Sequence, residues 1–120
     1  MRKTLIIGAT PDETRYAYKA AQMLRRFQHE IVNVGIKKGE VAGVAIEKPD
    51  IIHKDIDTIT LYIGPALQAN YHEYILKTKP KRVIFNPGTE NPALESLLRQ
   101  HGIETLEACT LVLLSTGQYE

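Results

Sequence analysis

The chain has 120 residues, of which 43% are hydrophobic and 24% charged, with a formal net charge of +1. That length supports a single domain (1–120) with a sizeable core and is too short for two, and the composition is that of a folded globule rather than a disordered or membrane-spanning chain. Residues 1–60 hold ten basic and eight acidic groups and residues 61–120 hold five and six, so neither half carries the basic excess of a nucleic-acid binder.

The N-terminal MRKTLIIG begins with two positive charges, as a signal peptide does. Its apolar part stops after three residues, well short of the roughly 7–15 residues of a signal-peptide core. TLIIG (4–8) therefore reads as a buried parallel strand that ends in glycine. A polar turn, ATPDET, follows, and from Arg15 to about Gln28 the period becomes helical. Tyr16, Ala17, Ala20, Ala21, Met23, Leu24 and Phe27 form one apolar arc, flanked by Arg15, Lys19, Gln22 and Arg26. Thr14 and Asp12 compete as N-cap of this helix.

EIVNVG (30–35) reads as the second strand and KKGEVAG as a charged, glycine-punctuated loop. DTITLYIG (57–64) is the third strand, followed by Pro65 and a helix from about Ala66 to Lys77. KRVIFNPG (81–88) is the fourth strand, and Pro92 opens a helix that ends at Gly102. IETLEA (103–108) forms a short last strand, while TLVLLS fits a helix or a strand equally. The apolar C-terminal TLVLLSTGQY either covers the sheet or pairs with a second copy, as in a homodimer. Alternating strands and helices predict an α/β, three-layer, Rossmann-like fold with a parallel sheet of about five strands. No apolar run approaches the roughly 18 residues of a membrane span. The single cysteine, Cys109, excludes an internal disulfide framework and suits a reducing, cytoplasmic setting.

Ligands of such sheets sit beyond the carboxyl ends of the strands. Each of the four clear strand ends carries a glycine: Gly8, Gly35, Gly64 and Gly88. At the first, Gly8-Ala9-Thr10 followed by a helix start offers backbone N–H groups and a positive dipole end to an anion. Arg15 and, one turn on, Lys19 are cations within reach. Only one glycine of a G-x-G-x-x-G fingerprint is present, and IVNVGIKK closes with lysines where an NAD site has an acid. Lys37 and Lys38 suit a ligand with an additional phosphate near adenosine, such as NADP or coenzyme A.

Taken in order, IIGATPDETRYAYKAAQML, EIVNVGIKKGEVAGVAI, DTITLYIGP and RVIFNPGTENPALESLLRQHGIETLEACTLVLL resemble the stand-alone CoA-binding domain family, related to the N-terminal domain of the succinyl-CoA synthetase α subunit. The resemblance covers nearly the whole chain. It implies that Gly8, Ala9 and Thr10 meet the CoA diphosphate and that Arg15, Tyr18 and Lys19 are the R-x-x-Y-[KR] positions. It sets Asn33, Val34 and Gly35 at the adenosine end with Lys37 near its phosphates, and Ile63, Gly64 and Pro65 along the cofactor. Asn86 stands at the fourth strand end. Two departures are visible: Gly35-Ile36 replaces the family's common Asn-Pro, and NPGTEN replaces a Q-L-G turn.

Four histidines show no metal-ligand spacing, and His72 reads as solvated surface. Cys109 has no obvious acid–base partner, and a lone cysteine in an apolar stretch is more often a small buried hydrophobe. A cysteine recurs at this place in the family, which sets Cys109 toward the thiol end of CoA. The expectation is non-catalytic binding of coenzyme A or an acyl-CoA by a regulatory or carrier module, alone or with a CoA-using enzyme. The alternatives are an NADP-binding oxidoreductase subunit and a thiol enzyme built on Cys109.

Overall fold

The computed structural model describes all residues, Met1–Glu120. Its centre is β1 (Thr4–Ile7), paired in parallel with β2 (Ile31–Val34) on one side and β5 (Thr58–Leu61) on the other. β6 (Arg82–Phe85) and β7 (Glu104–Glu107) extend the sheet beyond β5, again in parallel. On the opposite side β4 (Val44–Glu47) runs parallel to β2, and the two-residue β3 (Glu40–Val41) closes the edge antiparallel to it. The order is β3-β4-β2-β1-β5-β6-β7. The α/β, mostly parallel, Rossmann-like architecture holds, with seven strands in place of the expected five.

Of the two additional strands, β3 falls within KKGEVAG, the stretch that reads as a loop, and β4 follows it directly. The glycines of that stretch permit a tight turn, with Ala42 at φ 53° and Gly43 at φ 80°. The side-chain amide of Asn33 then latches the hairpin onto β2, donating to Val41 O at 3.1 Å and Val44 O at 3.0 Å. A two-residue strand carries no period of its own to read.

Alternation along the strands builds two cores. Leu5, Ile7, Ile59, Leu61, Val83 and Phe85 face one side, under α3 (His72–Thr78) and α4 (Pro92–Gln100). Ile6, Ile31 and Ile84 face the other, under α1 (Tyr16–Arg26) and α5 (Thr110–Ser115). Ala17, Ala20, Ala21 and Leu24 of α1 are buried, as the apolar arc predicts, but Tyr16 is 67% and Phe27 45% exposed. The open TLVLLS segment is helix α5, and the C-terminal tail packs over the α1 side of the sheet, burying Tyr119.

The helix expected over residues 66–77 is broken into α2 (Pro65–Gln68), a 3₁₀ turn (Ala69–Tyr71) and α3. Gln68 accounts for the break: its buried Nε2 donates to Ile63 O at 2.9 Å and Thr89 O at 2.7 Å, and its Oε1 accepts from Asn91 at 2.8 Å. These bonds tie the start of the segment to two loops and let Tyr71 turn inward. α4 is capped reciprocally, Asn91 Oδ1 accepting from Leu94 N and Glu95 accepting from Asn91 N, both at 3.2 Å. No helix is long and apolar enough to cross a membrane.

Candidate functional site

The strand order reverses direction between β1 and β5, and a cleft of about 920 Å³ opens there, beyond the carboxyl ends of the strands. Its floor depends on two glycines. Gly8 has φ +98°, and a Cβ on it would lie 3.1 Å from the carbonyl carbon of Tyr62. A Cβ on Gly35 would lie 2.5 Å from Ala9 O, so β2 and the β1–α1 turn approach as closely as they do only because Gly35 has no side chain.

The turn's own donors are spent inside the fold. Gly8 N and Ala9 N both donate to Val34 O, at 2.9 and 3.0 Å. That corrects the expectation that this turn offers them to a ligand. The available donors lie one step on, at the start of α1. Arg15 is the N-cap in extended conformation, and no side chain caps the helix. Its first-turn N–H groups therefore keep their anion-binding capacity. Asp12 organises the approach, its Oδ1 accepting from Thr14 N at 3.0 Å and the Thr14 hydroxyl at 2.7 Å. The Thr14 hydroxyl is the main reason the Asp12 carboxyl is held below its usual range.

Eight of the residues expected at the site line the cleft: Gly8, Ala9, Thr10, Arg15, Gly35, Lys37, Ile63 and Gly64. Six do not. Tyr18 turns toward α1's own side chains, its hydroxyl accepting from Gln22 at 3.2 Å, and Lys19 lies 5.4 Å above the Tyr16 ring. Asn33 and Val34 are buried in β2, occupied by the hairpin and by the β1–α1 turn. Pro65 is the first residue of α2. Asn86 is fully engaged: Nδ2 donates to Thr60 Oγ1 at 2.7 Å and Leu61 O at 2.8 Å, while Oδ1 accepts from Thr110 N at 2.9 Å. It satisfies the first N–H of α5 and clips β5 to β6. Cys109, half-buried just before α5, is not part of the cleft wall either.

The wall includes residues that sequence reasoning missed. Lys48 and Pro49 follow β4 and face the cleft beside Lys37. Gly35 N donates to Glu47 O at 3.0 Å, so the segments carrying the two lysines run side by side. The rule that strand ends face the ligand would have found Lys48, had β4 been legible. On the other side stand Tyr62, Leu67, Asn70, Tyr71, Pro87 and Thr89. Tyr62's hydroxyl is buried near the hydrogen-bonded pair Thr60 and Thr110 but in bonding geometry with neither, and burial pushes the phenol far above its ordinary pKa. Tyr71 is pushed up by burial too.

Electrostatically the cleft is one-sided. Its charged lining groups are Arg15, Lys37 and Lys48, and no carboxylate lines it. Neither lysine is in an ion pair, and Arg15's contact with Asp12 is a loose 3.7 Å at the exposed rim. Such a surface concentrates polyanions.

The CoA binding domain family matches residues 2–115. The chain belongs to that family. Membership supports coenzyme A binding in general. The residues of this family member also fit such a group on geometry alone: two glycines leave a cradle that a Cβ would fill, an uncapped helix start faces it, and three cations, two of them without an ion pair, line it. Similar in structure is a crystal structure described as an uncharacterized protein, 54% identical over 99% of this chain and 98% of its own, with TM-score 0.97. A Thermus thermophilus structure aligns at 20% identity and TM-score 0.85 over 98% of this chain and 90% of that one. A hypothetical protein from Pyrococcus horikoshii aligns at 24% identity and TM-score 0.85 over 96% and 82%. At those identities the last two speak for the fold alone. Among curated proteins there is no match.

Proposed function

We propose that the cleft binds coenzyme A or an acyl-CoA without transforming it, in a single-domain module of regulatory or carrier type that works inside the cytoplasm beside a CoA-using enzyme. The observation that carries the reading is the distribution of charge. Arg15 and the uncapped α1 start suit a diphosphate at the switch point, while Lys37 and Lys48, side by side at the ends of β2 and β4, suit a further phosphate on the adenosine. The remaining half of the cleft, with Ile63, Leu67, Tyr71 and Asn70, suits an uncharged amphipathic arm such as pantetheine. The charged groups that line the cleft are all cations, which suit an anion.

NADP shares the adenosine phosphate and is the second reading, because Lys37 and Lys48 do not distinguish the two ligands. Calorimetric titration of the purified protein with CoA, NADP, NAD and ATP tests the proposal. CoA is expected to bind most tightly. Binding of NADP with no heat from CoA would overturn it, as would native mass spectrometry showing a co-purified NADP mass.

A further inference from the structure

The cations of the cleft lie on one half. Arg15, Lys37 and Lys48 follow β1, β2 and β4, whereas the half built on β5 and β6 presents Ile63, Leu67, Asn70, Tyr71 and Thr89. Leu67, at 57% exposure, is a large apolar side chain held open at the mouth. The wall behind it is cross-linked by hydrogen bonds: Gln68 ties α2 to Ile63 O and Thr89 O and is itself held by Asn91.

No charged side chain lines this half. Glu90 Oε1 accepts from the N–H of Gly88, a lining residue, at 2.9 Å, so an exposed carboxylate is bonded to the β6 rim of the cleft without lining it. Farther out, Glu95 and Glu107 add negative charge, offset by Arg99, whose guanidinium is 3.9 Å from Glu95. The cleft is thus cationic at one end, and at the other uncharged, with a carboxylate bonded to its rim.

We infer that the β5–β6 end takes the thiol or an uncharged acyl chain and rejects acyl groups that end in a carboxylate. The inference rests on the CoA reading of the cleft. An adenosine phosphate on Lys37 and Lys48 and a diphosphate at α1 direct the remaining arm toward Leu67 and Tyr71. A terminal carboxylate there loses water against Leu67 and Tyr71, finds no cation, and adds to the negative charge of Glu90 at the rim. An alkyl end gains contact with Leu67 and Tyr71 instead.

Calorimetric titration with CoA, pentanoyl-CoA and glutaryl-CoA tests this, the two thioesters having equal carbon count and differing in a terminal carboxylate. Pentanoyl-CoA is expected to bind at least as tightly as CoA, and glutaryl-CoA about five- to tenfold more weakly, with a wider gap at low salt. Glu90→Gln narrows the gap, and Leu67→Lys, at an exposed position that tolerates a long side chain, closes or reverses it. If CoA and both thioesters fail to bind, the CoA reading itself fails. If CoA binds and the two thioesters bind equally in the unaltered protein, this inference alone is overturned.

Discussion

Lys48→Ala isolates the part of the cleft that the sequence did not reveal. Lys48 is exposed, pairs with no acid and lies beside Lys37 across the Gly35–Glu47 hydrogen bond of 3.0 Å. A phosphate monoester carries about −1.5 to −2 charges at neutral pH. At roughly 5 Å from an ammonium, with an effective dielectric near 60, each unit charge contributes about 1 kcal/mol. Screening at physiological salt, with a Debye length of about 8 Å, halves that. The net is about 1 kcal/mol, so Lys48→Ala weakens CoA binding roughly fivefold. The control ligand is CoA that lacks the phosphate on its ribose. Its affinity should be nearly indifferent to Lys48→Ala, because the group that the lysine meets is missing. The assay is calorimetric titration of both ligands against both proteins at 50 and 300 mM salt, the CoA effect shrinking as salt rises. Equal loss of affinity for the two ligands would place Lys48 at the diphosphate and refute the assignment, and no loss for either would remove Lys48 from the site.

Gly35→Ala forces a Cβ to within 2.5 Å of Ala9 O and pries β2 from the turn that donates twice to Val34 O; a loss of about 2–4 kcal/mol in urea unfolding is expected, with ligand binding impaired as well. Asn86→Ala leaves the first N–H of α5 without its acceptor and unclips β5 from β6, costing about 1–3 kcal/mol, yet CoA affinity per folded molecule should stay within twofold because the side chain does not reach the cleft. Burial lowers the pKa of His29, whose Nδ1 accepts from Arg2 N at 2.9 Å, so the folded state takes up fewer protons than the unfolded one near the ordinary histidine value of about 6.5. Its contribution is complete above that value and is lost as pH falls through the lowered pKa. Stability at pH 5.5 should therefore be below that at pH 7.5, and His29→Asn should flatten the difference.

The central sheet was legible because buried parallel strands are short apolar runs, and here each of four stops at a glycine. The glycines followed directly from the cleft: Gly8 and Gly35 are there because backbone meets backbone at 3.1 and 2.5 Å from where their Cβ atoms would be. What escaped depends on contacts distant in sequence. Gln68 breaks a helical period through bonds to Ile63 and Thr89, and nothing local marks a glutamine for that task. β3 and β4 exist because Asn33, seven residues upstream of Glu40, supplies the latch. With β4 hidden, nothing in the sequence marks Lys48 as a strand-end residue. Tyr16 and Tyr18 show the limit of a motif: both sit near the helix start, and only the phase of α1 sends Tyr16 to the cleft. Asn86 ends a strand, as a ligand residue would, but its amide is claimed by Thr60, Leu61 and Thr110.

The two faces of the sheet divide the work. Under α3 and α4 the strands bury only apolar side chains. Under α1 and α5 they bury Thr4, Thr58, Thr60, Arg82 and Asn86 among the isoleucines. That second layer covers the sheet with α1, the six-residue α5 and a tail, and near α5 and the tail directional bonds add to the apolar packing. Arg82 Nε donates to Thr58 at 2.8 Å and its Nη2 to Tyr119 O at 2.7 Å, with the guanidinium 4.5 Å from the Tyr119 ring. Thr60, Asn86 and Thr110 repeat the device one layer nearer the cleft. Because buried hydrogen bonds hold groups to a fixed geometry, they set the ends of β5 and β6, and hence Tyr62, Gly64 and Pro87, without any side chain of the network entering the cleft. The cations that line the cleft sit elsewhere, exposed on loops after β1, β2 and β4. Changes in the polar layer should therefore move stability and leave ligand preference alone, while changes at Lys37 and Lys48 should move preference and leave stability alone.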